Sequence, residues 1–303
     1  MEQRTSTTRR KAALTAAETS GTDLAWSLLL TIRNRGRRAG TFPMAFAPGG
    51  ARITVEADGR WMAQGPIGDS TARMLDLYLP MALSGAERPL VLGHLGVSLD
   101  GHVATETGES QYITGRENIV HLHRLRALAD AVIVGATTVE HDDPRLTTRH
   151  VEGDNPVRVV IDPSCRLGRA FRVFSDGAAE TLLVCAEDRA GTREGRHGRA
   201  RVIGIPSGRN GLSLDALLDR LRSLGLHGIL VEGGGVTVSR FLEQGKLDRL
   251  HLAVAPLITG AGRPGLSLAP VRDLGTALRP CCRHFAMGPD VLFDCDLRAD
   301  GAS

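Results

Sequence analysis

The chain has 303 residues, 42% of them apolar and 4% aromatic, and a formal charge of +3. That apolar share builds a real core and excludes wholesale disorder. So few aromatics exclude a single-strand stacking platform, and without a long basic stripe nucleic acid is not the expected partner.

Residues 1–22 are rich in Thr, Ala, Arg and Glu without an apolar stripe, and read as a flexible tail. Residues 23–88 form a small accessory segment, with a helix opening at Asp23, a strand over 51–57 and a second helix over 72–79; the stretch Ser84 to Pro89 reads as a linker. The apolar run from Leu24 to Ile32 is too short to span a bilayer, and no export signal follows Arg9-Arg10. From residue 89 the pattern becomes regular. Strands are predicted over 90–95, 131–134, 157–161, 181–185, 202–205, 228–231, 250–255 and 291–297. A helix over 116–128 presents Ile119, Leu122, Leu125 and Leu128; a second over 213–224, capped by Ser213, turns Leu214, Leu217, Leu218 and Leu221 inward; a third runs over 237–244. Strands alternating with helices predict an α/β fold with a mostly parallel sheet. The last two strands lack a crossover helix, so an antiparallel C-terminal edge is expected.

Three segments carry chemistry. Glu232-Gly233-Gly234-Gly235 ends a buried strand and enters a helix. Glycines let a phosphate approach the backbone, and a helix start offers N–H groups and a positive dipole end. The segment is neither a dinucleotide fingerprint nor a P-loop, and alone it reads equally as a tight turn. Ser98-Leu99-Asp100-Gly101, followed by the run Gly108 to Gly115, places small hydroxyls at a sheet's carboxyl edge, where a ligand crevice or an ordinary capped loop would lie. In the run Gly135 to Arg149, Asp142 and Asp143 point oppositely, so a shared metal is not expected and turn capping is the commoner explanation. His121 and His123 lie on different helix faces and make no ligand pair. Neither the zinc deaminase signature nor a nucleophile elbow is present. Cys165, Cys185, Cys281, Cys282 and Cys295 are odd in number without a CxxC pair, which fits a reducing cytoplasm.

Taken in order, these segments together with His123 to Arg126, Val159 to Asp162 and Ala255-Pro256-Leu257-Ile258 resemble the reductase domain of bacterial riboflavin biosynthesis proteins, over roughly two-thirds of the chain. The resemblance implies a dihydrofolate-reductase-like fold with helices on both faces, and a pyrimidine reductase domain over 89–303. It implies reduction by NADPH of the ribosyl group of an aminopyrimidine ribose 5′-phosphate to ribityl, in a homodimer joined around 250–255. It places Ser110, Arg126, Leu146, Arg149 and Glu232 at substrate positions. It places Gly96, Tyr112, Thr138, Asp142, Gly234, Gly235, Val236, Thr237, Val238, Ser239 and Arg240 at cofactor positions. Guanidinium forks suit a phosphate monoester. Hydride transfer needs no covalent nucleophile or metal; Glu232, Asp142 or a water supplies the proton, and the residues alone do not choose.

The chain also departs from the family. Residues 1–88 lack the deaminase motif of bifunctional members, so reduction without deamination is expected. His94, a substrate-site position, stands where many relatives have Lys; Tyr112 stands where Trp is usual; Asp162-Pro163-Ser164 replaces Asp-Ser. Two other readings stay open: a reductase of a different pyrimidine, pterin or specialised metabolite, and a nucleotide-binding module without turnover.

Overall fold

The computed structural model describes residues 21–34, 45–46, 51–56, 59–111, 113–191, 195–209 and 211–298. The chain divides into two compact units, Met1–Arg88 and Pro89–Ser303. The predicted tail lies outside the described residues except for 21 and 22, which already belong to a helix.

In the first unit, helix α1 (21–34) precedes a three-stranded antiparallel meander, β1 (Ala45–Phe46), β2 (Arg52–Val55) and β3 (Trp61–Gln64). Helix α2 (Asp69–Ala82) follows. Leu29, Ile32, Ile53, Leu75 and Leu79 are buried. Trp26 meets Tyr78 edge-on with ring centroids 6.0 Å apart, and the half-buried Trp61 donates its indole N–H to Asp76 at 2.8 Å, so these three aromatics are fixed by geometry or by a partner.

The second unit begins with β4 (Leu90–Ser98), β5 (His102–Thr105), α3 (Arg116–Leu128), β6 (Ala131–Gly135), α4 (Ala136–Asp142) and β7 (Val157–Ile161). It continues through α5 (Arg172–Ser175), β8 (Thr181–Ala186), α6 (Glu187–Ala190), β9 (Arg196–His197), β10 (Ala200–Ile205), β11 (Ser207–Gly208), β12 (Gly211–Leu212) and α7 (Leu214–Ser223). It ends with β13 (Gly228–Glu232), α8 (Gly235–Glu243), β14 (Arg249–Ala255), β15 (Gly262–Pro264), β16 (Cys281–Met287) and β17 (Asp290–Asp296).

Ten strands form one sheet in the order β16-β17-β14-β4-β13-β6-β7-β8-β10-β9. The run from β14 to β10 is parallel. β17 and β16 continue it antiparallel, as the missing crossover helix predicts, and β9 adds a second antiparallel edge that the sequence does not announce. The central strands are buried on both faces, which is why they read as unbroken apolar runs. On one face, Leu214, Leu217, Leu218 and Leu221 of α7 and Val238 and Phe241 of α8 join Val91, Ile133, Val159 and Val231 in the main core. Ser213 caps α7 as predicted, its hydroxyl accepting the Ala216 N–H at 3.3 Å.

The opposite face carries α3, and here the expected stripe is corrected. Leu125 and Leu128 are buried, but Ile119 and Leu122 are only half-buried and wall a cavity. Asn118, His121 and Arg126 take the buried positions instead, because the strands beneath present polar groups. Ionic and backbone links close the unit. Asp130 accepts the N–H groups of His227 (3.0 Å) and Gly228 (2.8 Å), locking the start of β6 to β13. The Arg298 guanidinium donates to the Pro89 carbonyl and to Asp248, tying the unit's last described residue to its first.

Candidate active site

Strand register builds the floor of the site. Glu232 of β13 lies beside His94 of β4, His94 beside His251 of β14, His251 beside Asp294 of β17, and Asp294 beside Arg283 of β16. Five in-register neighbours thus form one polar row across the sheet. Helix α3 lies over it and partners three of the five, while Asp294 holds Arg249 and Arg283. Arg126 donates from Nε and Nη2 to the two Glu232 oxygens at 2.7 and 2.6 Å. Asn118 Oδ1 pairs with His94 Nε2 at 3.1 Å, and His121 Nε2 with His251 Nδ1 at 3.1 Å. A buried charge persists only when paired and hydrogen-bonded, so the row and the helix are each other's condition.

Burial, then the nearby charges of His251 and Arg126, push His94 down to about 3. The residue that replaces a family lysine is therefore neutral. Burial likewise lowers His121 and His251, while burial with Arg126 and Arg149 close by pushes His123 down to about 3. The unfolded chain binds protons near pH 6.5 that the folded chain refuses, so stability falls as pH drops below 6.5. The expected loss is roughly 1 kcal/mol per buried histidine between pH 6.5 and 5.5, read by denaturant unfolding at pH 7.5, 6.5 and 5.5. Asp294 is held well below the carboxylate range, through His251 and Arg249 winning over burial, and offsets nothing in that window. A flat profile would contradict the buried neutral row.

Above the carboxyl ends of β4, β13, β6 and β7 lies a cavity of about 720 Å³. Its walls include Ile119, Leu122 and Leu146, and its polar points include His94, Ser110, Arg126, Thr138, Asp142 and Glu232. Ligand crevices of α/β sheets open at this end. Helix α8 starts at the cavity, and Gly234 donates to Thr138 Oγ1 at 3.0 Å, joining the α4 and α8 turns. One predicted phosphate donor is thereby used internally; the N–H groups of Gly235 and Val236, in the first turn of α8, have no partner within the helix. Val236 stands 80% exposed in the cavity lining. Two glycines of the lining leave no space for side chains. A Cβ on Gly96 would lie 2.8 Å from Thr114, and one on Gly235 would lie 2.2 Å from the Gly265 carbonyl oxygen.

The structure brings most of the sequence-predicted residues together in one cavity lining, with three differences among the described residues. Val238 packs in the core and Ser239 is buried, its hydroxyl accepting the Ser267 N–H at 2.8 Å, because both sit on the inward side of α8. Arg149 stands outside the cavity lining and bonds Thr147. The Arg126 fork, expected to face phosphate, is engaged by Glu232. Tyr112 lies outside the described residues. Arg240 lines the cavity and donates to the Leu212 carbonyl. Ser110 donates to Asp142 at 3.1 Å.

Sequence reading misses Asn118, His141, Arg166 and Arg263, all of which line the cavity. His141 lies near Thr137 O (Nδ1, 2.7 Å) and Arg263 Nη1 (Nε2, 3.2 Å), so its Nδ1 proton donates to the carbonyl and its Nε2 lone pair faces the guanidinium. His141 bonds a backbone carbonyl that any residue at 137 would offer, so neither it nor Arg263 carries a local signal. Leu146 is held at φ 54° with its side chain buried at the cavity wall, a backbone cost accepted at a binding surface. Among the described residues no cluster of His, Cys, Asp or Glu has the arrangement of a metal site, and no helix is long and apolar enough to cross a membrane.

A family model described as the RibD C-terminal domain matches residues 89–293. The 2,5-diamino-6-ribosylamino-4(3H)-pyrimidinone 5′-phosphate reductase of Methanothermobacter thermautotrophicus is 35% identical, over 68% of this chain and 97% of its own. The riboflavin biosynthesis protein RibD of Aquifex aeolicus is 34% identical, over 58% of this chain and 49% of its own. Among solved structures, the Thermotoga maritima diaminohydroxyphosphoribosylaminopyrimidine deaminase/5-amino-6-(5-phosphoribosylamino)uracil reductase superposes with a TM-score of 0.59 at 25% identity, over 75% of this chain and 61% of that one.

Proposed function

We propose a function from one premise: this chain belongs to the RibD C-terminal domain family. It is an oxidoreductase of riboflavin biosynthesis that uses NADPH to reduce the ribosyl group of an aminopyrimidine ribose 5′-phosphate to ribityl. The Pro89–Ser303 unit carries the reaction, with Met1–Arg88 as an accessory segment.

The observation that carries this reading is a set of guanidiniums in one cavity lining, Arg126, Arg166, Arg240 and Arg263, beside the glycine turn at α8. Arg126 is paired with the carboxylate of Glu232 at the floor, and Arg149, outside the lining, lies close enough to Arg126 that burial and this charge lower its pKa. A cluster of guanidiniums with one counter-charge suits a dianionic phosphate ester. The glycine cradle at α8 fits a pyrophosphate, and Gly96 lets Thr114 of the cavity wall pack directly on β4. A bound reduced nicotinamide supplies hydride to the ring-opened sugar carbon. The chain's own residues position the sugar. The Arg126–Glu232 pair fixes its polar side, Ser110 and Asp142 offer a hydroxyl and a carboxylate from the same lining, a bound water held by Asp142 or Glu232 supplies the proton, and Leu146 with Ile119 and Leu122 keeps bulk solvent out. Five cysteines without a CxxC pair support action in the reducing cytoplasm.

The test is oxidation of NADPH with the diaminopyrimidinone and the aminouracil ribosyl 5′-phosphates, each beside its dephosphorylated form. Turnover of a phosphorylated compound, with kcat/KM falling at least tenfold on dephosphorylation, is expected. Equal turnover without phosphate, or preference for a pterin, would favour the other reductase reading.

We also assign a homodimer. β14 is paired on both edges, by β4 and β17, so partners do not join by strand addition at 250–255. The exposed apolar side chains Val291 and Phe293, each 40% exposed, and Ile258, 71% exposed, support face-to-face association near β17. Light scattering is expected to give twice the chain mass, and Phe293→Asp to give the monomer.

A further inference from the structure

We propose that Cys282 and Cys295, opposed across β16 and β17, form a redox modification site: a low-molecular-weight disulfide oxidises them to one cross-strand disulfide that staples the edge of the sheet. The inference concerns the rim of the fold and stands independently of the reductase reading.

Strand register brings the two thiols together. Cys282 is the direct partner of Cys295 in the antiparallel β16–β17 ladder. Opposed residues of such a ladder have Cα atoms about 4.5–5.5 Å apart, within the span of about 4.4–6.8 Å that a disulfide bridges. The two side chains meet on one face of the sheet, Sγ to Sγ at 2.8 Å, and both are thiols. The other cysteines are placed elsewhere. Cys281 stands opposite Asp296 and, as the chain neighbour of Cys282, projects from the other face. Cys185 lies in β8, towards the far end of the strand order, and Cys165 on the turn after β7.

The two thiols are unequal in a way that orders the chemistry. Cys282 is exposed and meets reagents from solution. Cys295 is 7% exposed and packs in the main core. Burial, then the contact with Cys282, pushes its thiol up to about 12, so it reacts only with a sulfur already beside it. The Cys282 thiolate attacks the external disulfide, breaks its S–S bond, forms a mixed disulfide and releases one thiolate. The Cys295 sulfur then attacks the Cys282 sulfur, forms the Cys282–Cys295 bond and releases the second. The two cysteine protons end on the two released thiols. Two cysteines are oxidised and one external disulfide is reduced. Contact between the sulfurs makes the second step intramolecular.

The staple acts where the sheet is weakest. β16 is an edge strand with β17 as its one neighbour in the sheet, and Phe285 is its one buried residue. So little burial opposes local opening poorly. Cys282 precedes Arg283, whose guanidinium donates to Asp294 at 2.9 Å at the end of the polar row. A covalent link one residue away keeps β16 on the sheet and that bond made. In a reducing compartment the pair rests as two thiols and closes under oxidative load.

The experiment exposes the full-length protein to glutathione disulfide at neutral pH and reads intact mass, peptide maps and backbone hydrogen exchange. The chain is expected to lose two hydrogen atoms, with Cys282 linked to Cys295 and Cys281 still open to alkylation. Exchange at the β16 amides slows by about tenfold or more, and dithiothreitol reverses every change. Cys282→Ser, at an exposed position, abolishes the bridge. Cys295→Ser stops the reaction at a glutathione adduct on Cys282, and Cys281→Ser leaves the bridge intact. Circular dichroism checks the fold of each variant. A persistent glutathione adduct on the wild-type chain, a bridge through Cys281, a bridge between two chains, or unaltered exchange at β16 in the bridged form would each overturn the proposal.

Discussion

Arg126→Ala is expected to lower kcat/KM by about three orders of magnitude or more, and to destabilise the Pro89–Ser303 unit by about 3–5 kcal/mol. The stability loss follows from burial. Arg126 and Glu232 are 7% and 4% exposed, joined by two bonds of 2.7 and 2.6 Å, and truncation strands a buried carboxylate. The catalytic loss follows from position, since the pair forms the cavity floor beside His94. A double variant separates the two effects. Arg126→Met with Glu232→Met removes both charges and fills similar volume, so stability returns toward wild type while turnover stays lost. Recovery of turnover in the double variant, or full activity of Arg126→Ala, would show that the pair only holds the fold. Chemical unfolding and steady-state kinetics on the same preparations give both readings.

Gly235→Ala is the second variant of large effect. Its Cβ would approach the Gly265 and Pro264 carbonyl oxygens at 2.2 and 2.5 Å, and backbone cannot swing aside as a flexible side chain can. Relief requires the first turn of α8 to part from the β15 segment. Overpacking of this kind costs about 1–3 kcal/mol, and the expected melting shift is roughly 2–4 °C per kcal/mol. NADPH affinity falls further, at least tenfold, because the cradle moves with the helix start. Gly191→Ala is the control: among the described residues nothing lies within 4 Å of its Cβ, and neither quantity is expected to change. Unaltered NADPH affinity in Gly235→Ala would remove α8 from the cofactor site.

The central strands were legible because burial on both faces leaves an unbroken apolar run, and α7 because its leucines and Ser213 cap obey helical spacing. β16 was missed for the complementary reason. It is an edge strand whose Cys281, Cys282, Arg283 and His284 face solvent, so no apolar run marks it. Helix α3 misled at Ile119 and Leu122, since a stripe that walls a cavity has the same period as one that enters a core. The Glu232–Gly235 turn and the ordered motifs located the site, but its internal bonding was beyond local reading. Arg126 meets Glu232 across 106 residues of sequence, and a guanidinium that suits phosphate is equally suited to carboxylate. Arg166 lies on the turn after β7 and Arg263 in the three-residue strand β15, both too short to carry a periodic signal.

The bond from Arg298 to the Pro89 carbonyl bears on how such a unit can be carried. Entry and exit of the Pro89–Arg298 stretch lie side by side, and a unit whose ends meet can be hung from a longer chain, or spliced within one, without stretching any strand. The same geometry makes circular permutation a practical route. Joining 298 to 89 through a short Gly/Ser bridge and reopening the chain at the exposed Gly191 turn preserves the order of the ten-stranded sheet, and with it the placement of every group on its polar row.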